Sequence, residues 1–146
     1  MVSYFDSSVL MTIILHEPRM KEAESLWKLS SNKASSILLR IESLVSLRRF
    51  YEHNKHRLET NWLALKTSEL NNFLREVTCL IIDKTIENIT LQNKNLAKCR
   101  TLDAIHLATA LDIKNNSNNA YDMKLYTFDV NMYDLAKDFD FITNIL

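Results

Sequence analysis

The chain has 146 residues, 47% hydrophobic and 25% charged, with 18 basic residues balancing 18 acidic ones; this excludes a disordered chain and a globally basic nucleic-acid binder, and allows a conventional core. Glycine is absent, which removes the P-loop, the dinucleotide fingerprint and the glycine-flanked nucleophile elbow, all of which need close backbone approach. No run approaches the roughly 18 apolar residues of a membrane span, and the amino terminus lacks the pattern of a secretory signal, so a cytoplasmic protein is expected.

Val2 to Phe5 is a short β-prone run ending at Asp6, and Ser7 to Leu15 continue as a helix until Pro18 interrupts. Helical periodicity returns at Met20, Ala23 and Trp27, stops at Ser30-Ser31-Asn32, and gives way to a strand near Ala34 to Ile37. A long helix follows, apolar at Leu38, Ile41, Val45 and Leu47 through Phe50 and closed by Asn54; Leu58, Trp62, Leu65, Phe73 and Leu74 outline the next. Val77 to Ile82 is β-branched and apolar without alternation, the pattern of a strand buried on both faces of a parallel sheet. Helices are predicted over Thr85 to Ala97, with Ile86, Ile89 and Leu96 inward, and over Leu102 to Ile113, with Thr101 as N-cap. Lys114 to Asn119 reads as a loop, Lys124 to Phe128 as a strand, Asn131 to Lys137 as a short helix and Phe139 to Ile142 as an edge strand. Without glycine, Asn32, Asn54 and the Asn115, Asn116, Asn118, Asn119 cluster are the expected positive-φ positions. Cys79 and Cys99 have no metal-site spacing and read as buried, reduced thiols.

Strands alternating with helices predict an α/β fold: a three-layer α/β/α sandwich around a central, mostly parallel sheet of four or five strands. No linker or repeat in residues 1–146 marks a second domain. In such sheets ligands bind beyond the carboxyl ends of the strands, and four acids fall there. Asp6 ends the first strand, Glu42 lies early in the helix after the second, Asp103 sits in the first turn of the Leu102 helix, and Asp129 ends the Lys124 strand. Singly, each reads as a turn residue or a partner of a helix dipole. Together they border apolar runs, where an ionised carboxylate must be paired, metal-bound or protonated.

The segments Tyr4-Phe5-Asp6-Ser7-Ser8-Val9-Leu10, Ser35 to Glu42, Arg100-Thr101-Leu102-Asp103-Ala104-Ile105-His106-Leu107-Ala108-Thr109-Ala110 and Tyr126-Thr127-Phe128-Asp129 resemble, in order, the four signature segments of the PIN-domain family. The short chain and the Arg100 to Ala110 run look like VapC-type toxins of bacterial toxin–antitoxin pairs. The resemblance implies a PIN-like fold and a metal-dependent endoribonuclease, with Asp6, Glu42, Asp103 and Asp129 as its acidic metal site. It matches Ser7 to a Ser or Thr beside the first Asp and gives Thr127 a supporting position. An all-carboxylate site suits Mg²⁺, with Mn²⁺ as substitute, since hard cations take oxygen ligands. Asp6 and Asp103 would be the chief ligands, with Glu42 and Asp129 direct or through water, and the bound cation would activate water against an RNA phosphodiester. The implied partners are RNA and a cognate antitoxin, laying an amphipathic segment in an apolar groove. Val9 to Leu15 and Met20 to Leu29 are the candidate groove walls, and equally core or a homodimer face; a homodimer is the expected assembly. The alternative is a non-catalytic PIN-like module that binds RNA or protein.

His106, three residues after Asp103 on an Ile-His-Leu-Ala background, reads as a packed or hydrogen-bonded structural residue rather than a general base. Trp27 and Trp62 read as core or interface. Basic residues gather between Arg40 and Lys66 and again at Lys94, Lys98 and Arg100. Of these Arg100, nearest an assigned acid, is the favoured contact for a flanking phosphate.

Overall fold

The β-prone run at the amino terminus becomes the middle strand of the sheet. In the computed structural model, which describes residues 1–117 and 123–145, β1 (Ser3–Phe5) pairs with β2 (Lys33–Ser36) on one side and β4 (Lys124–Tyr126) on the other. β3 (Val77–Leu80) and β5 (Ile142–Thr143) lie at the edges, giving the order β3-β2-β1-β4-β5 with every neighbouring pair parallel. Parallel neighbours need crossover connections. These are α1 (Ser7–Ile14), α2 (Met20–Leu29), α3 (Leu38–Asn54), α4 (Trp62–Leu74), α5 (Lys84–Gln92), a 3-10 segment (Lys94–Lys98), α6 (Thr101–Asn116) and α7 (Val130–Asp138).

Successive strand residues point to opposite faces, and adjacent Tyr4 and Phe5, both fully buried, each enter a different core cluster. Phe5 packs with Val9, Leu10, Trp27, Leu39, Leu47, Leu70 and Leu74 from α1 to α4. Tyr4 packs with Ile86, Leu96, Leu107, Met132 and Ala136 from α5 to α7. The expected three layers follow from this split. The Phe5 ring lies 4.8 Å from Trp27 and 5.2 Å from Tyr126, centroid to centroid. Truncating it leaves a cavity beside Trp27 and Tyr126: Phe5→Ala is expected to cost about 3–5 kcal/mol in urea unfolding. A loss under about 1 kcal/mol would contradict this packing.

Several local expectations are corrected. Val77 to Ile82 is not buried on both faces: β3 pairs only with β2, and Ile81 and Ile82 beyond its end are exposed at 69% and 45%. An apolar β-branched run marks a strand without marking its place in the sheet. The helix expected over Thr85 to Ala97 breaks at Asn93, whose side-chain amide donates to the Ile89 carbonyl at 2.8 Å while its backbone turns extended, a competition typical of Asn. α6 instead runs through the expected loop as far as Asn116. Lys114 Nζ donates to the carbonyls of Phe139 and Asp140 at 3.1 and 3.0 Å, and the Asn116 amide donates to the Asp112 carbonyl at 2.9 Å. Asn118 and Asn119 lie outside the described residues. The N-cap of α6 is Arg100, not Thr101. Leu65 is exposed rather than inward.

Among the described residues the positive φ values fall at His16 (53°) and Asp140 (58°), not at asparagines. Both end helices in the same way. Glu17 N–H donates to the Thr12 carbonyl and His16 N–H to that of Ile13; Phe141 and Asp140 do the same to Ala136 and Lys137, the paired bonds of a Schellman cap. Asp138 closes α7 and Asp140 follows it, and both are exposed. Cys79 and Cys99 are free but only half-buried.

Candidate active site

From β1 the chain adds β2 and β3 on one side, then returns to place β4 on the other. The strand order therefore reverses between β1 and β4, the crevice where open α/β sheets bind ligands. Asp6 and Asp129 stand just past these two strands.

Asp6 caps α1 and is 5% exposed. Its Oδ1 accepts from the Ser8 N–H at 3.0 Å and the Ser8 hydroxyl at 2.5 Å, and its Oδ2 accepts from the Thr127 hydroxyl at 2.5 Å. Ser8 Oγ also accepts from the Phe128 N–H at 2.8 Å, and Thr127 Oγ1 from the Asp129 N–H at 3.0 Å. Two hydroxyls thus tie the end of β1 to the segment after β4. Asp129 in turn caps α7, accepting from the Met132 N–H at 3.0 Å. Burial pushes the Asp6 carboxyl above its ordinary range, and the Ser8 and Thr127 hydrogen bonds oppose that rise. Thr127 bonds both the Asp6 carboxylate and the Asp129 backbone. The hydroxyl beside Asp6 is that of Ser8, not Ser7. An Asp N-cap followed two residues later by Ser was the legible signal, since the N2 position faces the capping carboxylate.

Glu42 in α3, Asp103 in the first turn of α6, and Asp129 line one cleft of about 330 Å³ with Arg100, Thr101 and Leu102. Arg100 is exposed, its Nε 3.9 Å from Asp103 Oδ2. A second cleft of about 340 Å³, bordered by Lys98, Cys99, Arg100, Asn131 and Asp134, opens on the other flank of Asp103. Desolvation raises the Asp103 carboxyl, the negative charge of Asp129 raises it further, and Arg100 opposes both. Much of the Arg40 to Lys66 basic group is paired locally: Arg48 and Lys55 with Glu52, and Lys66 with Glu69.

His106 lies beneath the cleft, 2% exposed. Its Nε2 is 2.5 Å from Glu42 Oε1, and its Nδ1 is 2.7 Å from the Tyr4 hydroxyl, which accepts from the Ser36 N–H at 3.1 Å. The expected packed and hydrogen-bonded histidine is therefore what stands here, bonded to a cleft carboxylate. Its link to Glu42 spans 64 residues of sequence, beyond the reach of any local pattern.

The donor set around the cleft is carboxylate oxygen, which suits a hard cation that keeps several of its waters. Among the described residues no three Asp, Glu, His or Cys side chains close into a cage. The arrangement is an open one, with carboxylates that repel across the cleft and would attract a divalent cation between them.

The PIN domain family model matches residues 3–138. The fold is similar to a toxin-antitoxin complex from Klebsiella pneumoniae, at TM-score 0.63 and 18% identity over 90% of this chain and 89% of that one. It is also similar to VapBC-1 from nontypeable Haemophilus influenzae, at TM-score 0.61 and 14% identity over 99% and 97% of the two chains. No curated protein matches the sequence.

Proposed function

The chain belongs to the PIN-domain family, and from that premise we propose that it is a metal-dependent endoribonuclease acting as the toxin of a toxin–antitoxin pair. The observation that carries the reading is the grouping of Glu42, Asp103 and Asp129 around one cleft, with the buried Asp6 joined to the Asp129 backbone through the Thr127 hydroxyl. Asp6, Glu42, Asp103 and Asp129 would hold Mg²⁺, or Mn²⁺ in its place. When bound, the cation supplies charge stabilisation to the phosphodiester and lowers the pKa of attacking water. The protein's own part is placement. Thr127 and Ser8 fix the Asp6 carboxylate, the backbone N–H of Met132 fixes Asp129, and Arg100 at the mouth meets a flanking phosphate.

The non-catalytic alternative draws on one observation, the open spacing of the carboxylates.

An antitoxin would be an amphipathic segment seated in the apolar groove of about 300 Å³ lined by Ile14, Leu15, His16, Phe50, Leu58, Trp62 and Lys66. This narrows the walls expected from sequence, because Val9 to Ile14 of α1 are core and only the end of that helix reaches the groove. Trp62 stacks on Phe50 and Tyr51 at its floor, while Trp27 is core. A homodimer in the cytoplasm is the proposed working form; among the described residues no helix is long and apolar enough to cross a membrane. Expression of the wild type is expected to arrest growth, with relief on co-expression of the cognate partner. Harmless expression of folded protein that cleaves RNA would contradict the toxin reading.

A further inference from the structure

We propose that His106 and Tyr4 are positioning residues that hold Glu42 over the cleft, a role that rests on the metal-site reading above. Four elements meet in this chain of hydrogen bonds: the Ser36 N–H at the end of β2, the Tyr4 hydroxyl in β1, the His106 imidazole in α6 and the Glu42 carboxylate in α3. One proton assignment satisfies every link, with the Tyr4 hydroxyl donating to an imidazole that is protonated on Nε2. Tyr4 is fully buried and its oxygen already accepts from Ser36. Its own proton therefore goes to His106 Nδ1, 2.7 Å away. That places the imidazole proton on Nε2, which donates to Glu42 Oε1 at 2.5 Å.

The consequence lies in the geometry of Glu42. Its side chain is about one quarter exposed (24%), against 2% for His106, so the bond anchors one carboxylate oxygen at the protein side of the cleft. Glu42 lines that cleft together with Asp103 and Asp129. A glutamate has three rotatable bonds, and an unanchored one would swing away from two like-charged neighbours. A buried donor, itself locked by a tyrosine and the sheet backbone, removes that freedom. Partners of this kind behind a ligand typically change metal affinity about 10–100-fold when removed. An imidazole bonded only for packing would show no coupling to Glu42.

Mn²⁺ binding by titration calorimetry tests this in the full chain with wild type, His106→Leu, His106→Gln, Glu42→Gln and the His106→Leu/Glu42→Gln pair. His106→Leu is expected to weaken Mn²⁺ binding about 10–100-fold. His106→Gln, whose amide can donate to Glu42, recovers part of the loss. In the Glu42→Gln background the Leu substitution adds no further loss. Unchanged affinity in folded His106→Leu, or fully additive losses in the pair, would overturn the proposal. If His106→Leu does not fold, Tyr4→Phe removes a single hydroxyl, and unchanged Mn²⁺ affinity there overturns it equally. A wild type that binds no Mn²⁺ overturns the metal-site reading, and the positioning role with it. Nitrogen-15 spectra of the imidazole then separate the two failures: an Nε2-protonated His106 that shifts on Glu42→Gln shows that the bond exists without a metal to serve.

Discussion

Asp103→Asn is expected to cut RNA cleavage by about 10²–10³-fold while making the metal-free protein more stable at neutral pH. Both effects have one origin. Desolvation and the negative charge of Asp129 push the Asp103 carboxyl above its ordinary range, so the folded protein holds that proton more tightly than the unfolded chain. Between the ordinary and the raised value the native state carries more bound protons, and stability falls as pH rises through that window. The stabilising contribution is complete at acidic pH, below the unfolded value, and is lost towards neutrality. Asn carries no charge and escapes this loss. Melting temperatures in chelator should therefore show Asp103→Asn gaining on the wild type as pH goes from acidic to neutral. No gain, together with retained cleavage, would remove Asp103 from the site. Asp6 carries a raised carboxyl for the same first reason, burial, and acts with the same sign.

Asp6→Asn is expected to produce a loss of similar size, about 10²–10³-fold, again with the fold intact. An Asn side chain keeps an oxygen that can accept from Ser8, and its amide can face the Thr127 hydroxyl, which can turn to accept. What disappears is the negative charge. The neighbours rank themselves by their bonds. Thr127→Val removes the donor to Asp6 and the acceptor of the Asp129 N–H together, and should cost about 10–100-fold. Ser8→Ala removes a hydroxyl that bonds both Asp6 and the Phe128 N–H, whereas Ser7→Ala should leave the rate near that of the wild type. Initial rates on one RNA substrate check the order, and equal losses for Ser7→Ala and Ser8→Ala would contradict it.

These variants also show what was legible in the sequence. The α/β alternation and the positions of Asp6 and Asp129 just past their strands follow from patterns within ten or so residues of each position. The misread elements were decided by distant partners. Val77 to Leu80 became an edge strand because only β2 pairs with it. α6 outran its expected end because Lys114 bonds carbonyls after α7. The site divides along the same line. Asp6, Glu42, Asp103 and Asp129 stand out by type and position, whereas only the cap geometry tells the Ser8 hydroxyl from that of Ser7. The Tyr4–His106–Glu42 chain stayed hidden because its members are 102 and 64 residues apart.

The central claim, an RNA-cleaving carboxylate site that needs a divalent cation, is tested most directly on a mixed cellular RNA pool. Purified, partner-free wild type is incubated with Mg²⁺, with Mn²⁺ or with EDTA, beside Asp6→Asn in Mg²⁺, and fragment ends are mapped. The account predicts discrete cleavage by the wild type with either cation, none in EDTA, and cleavage reduced about 10²–10³-fold with Asp6→Asn. Cleavage that persists in EDTA, cleavage by Asp6→Asn at the wild-type rate, or an intact pool with folded wild type and Mg²⁺ would contradict it.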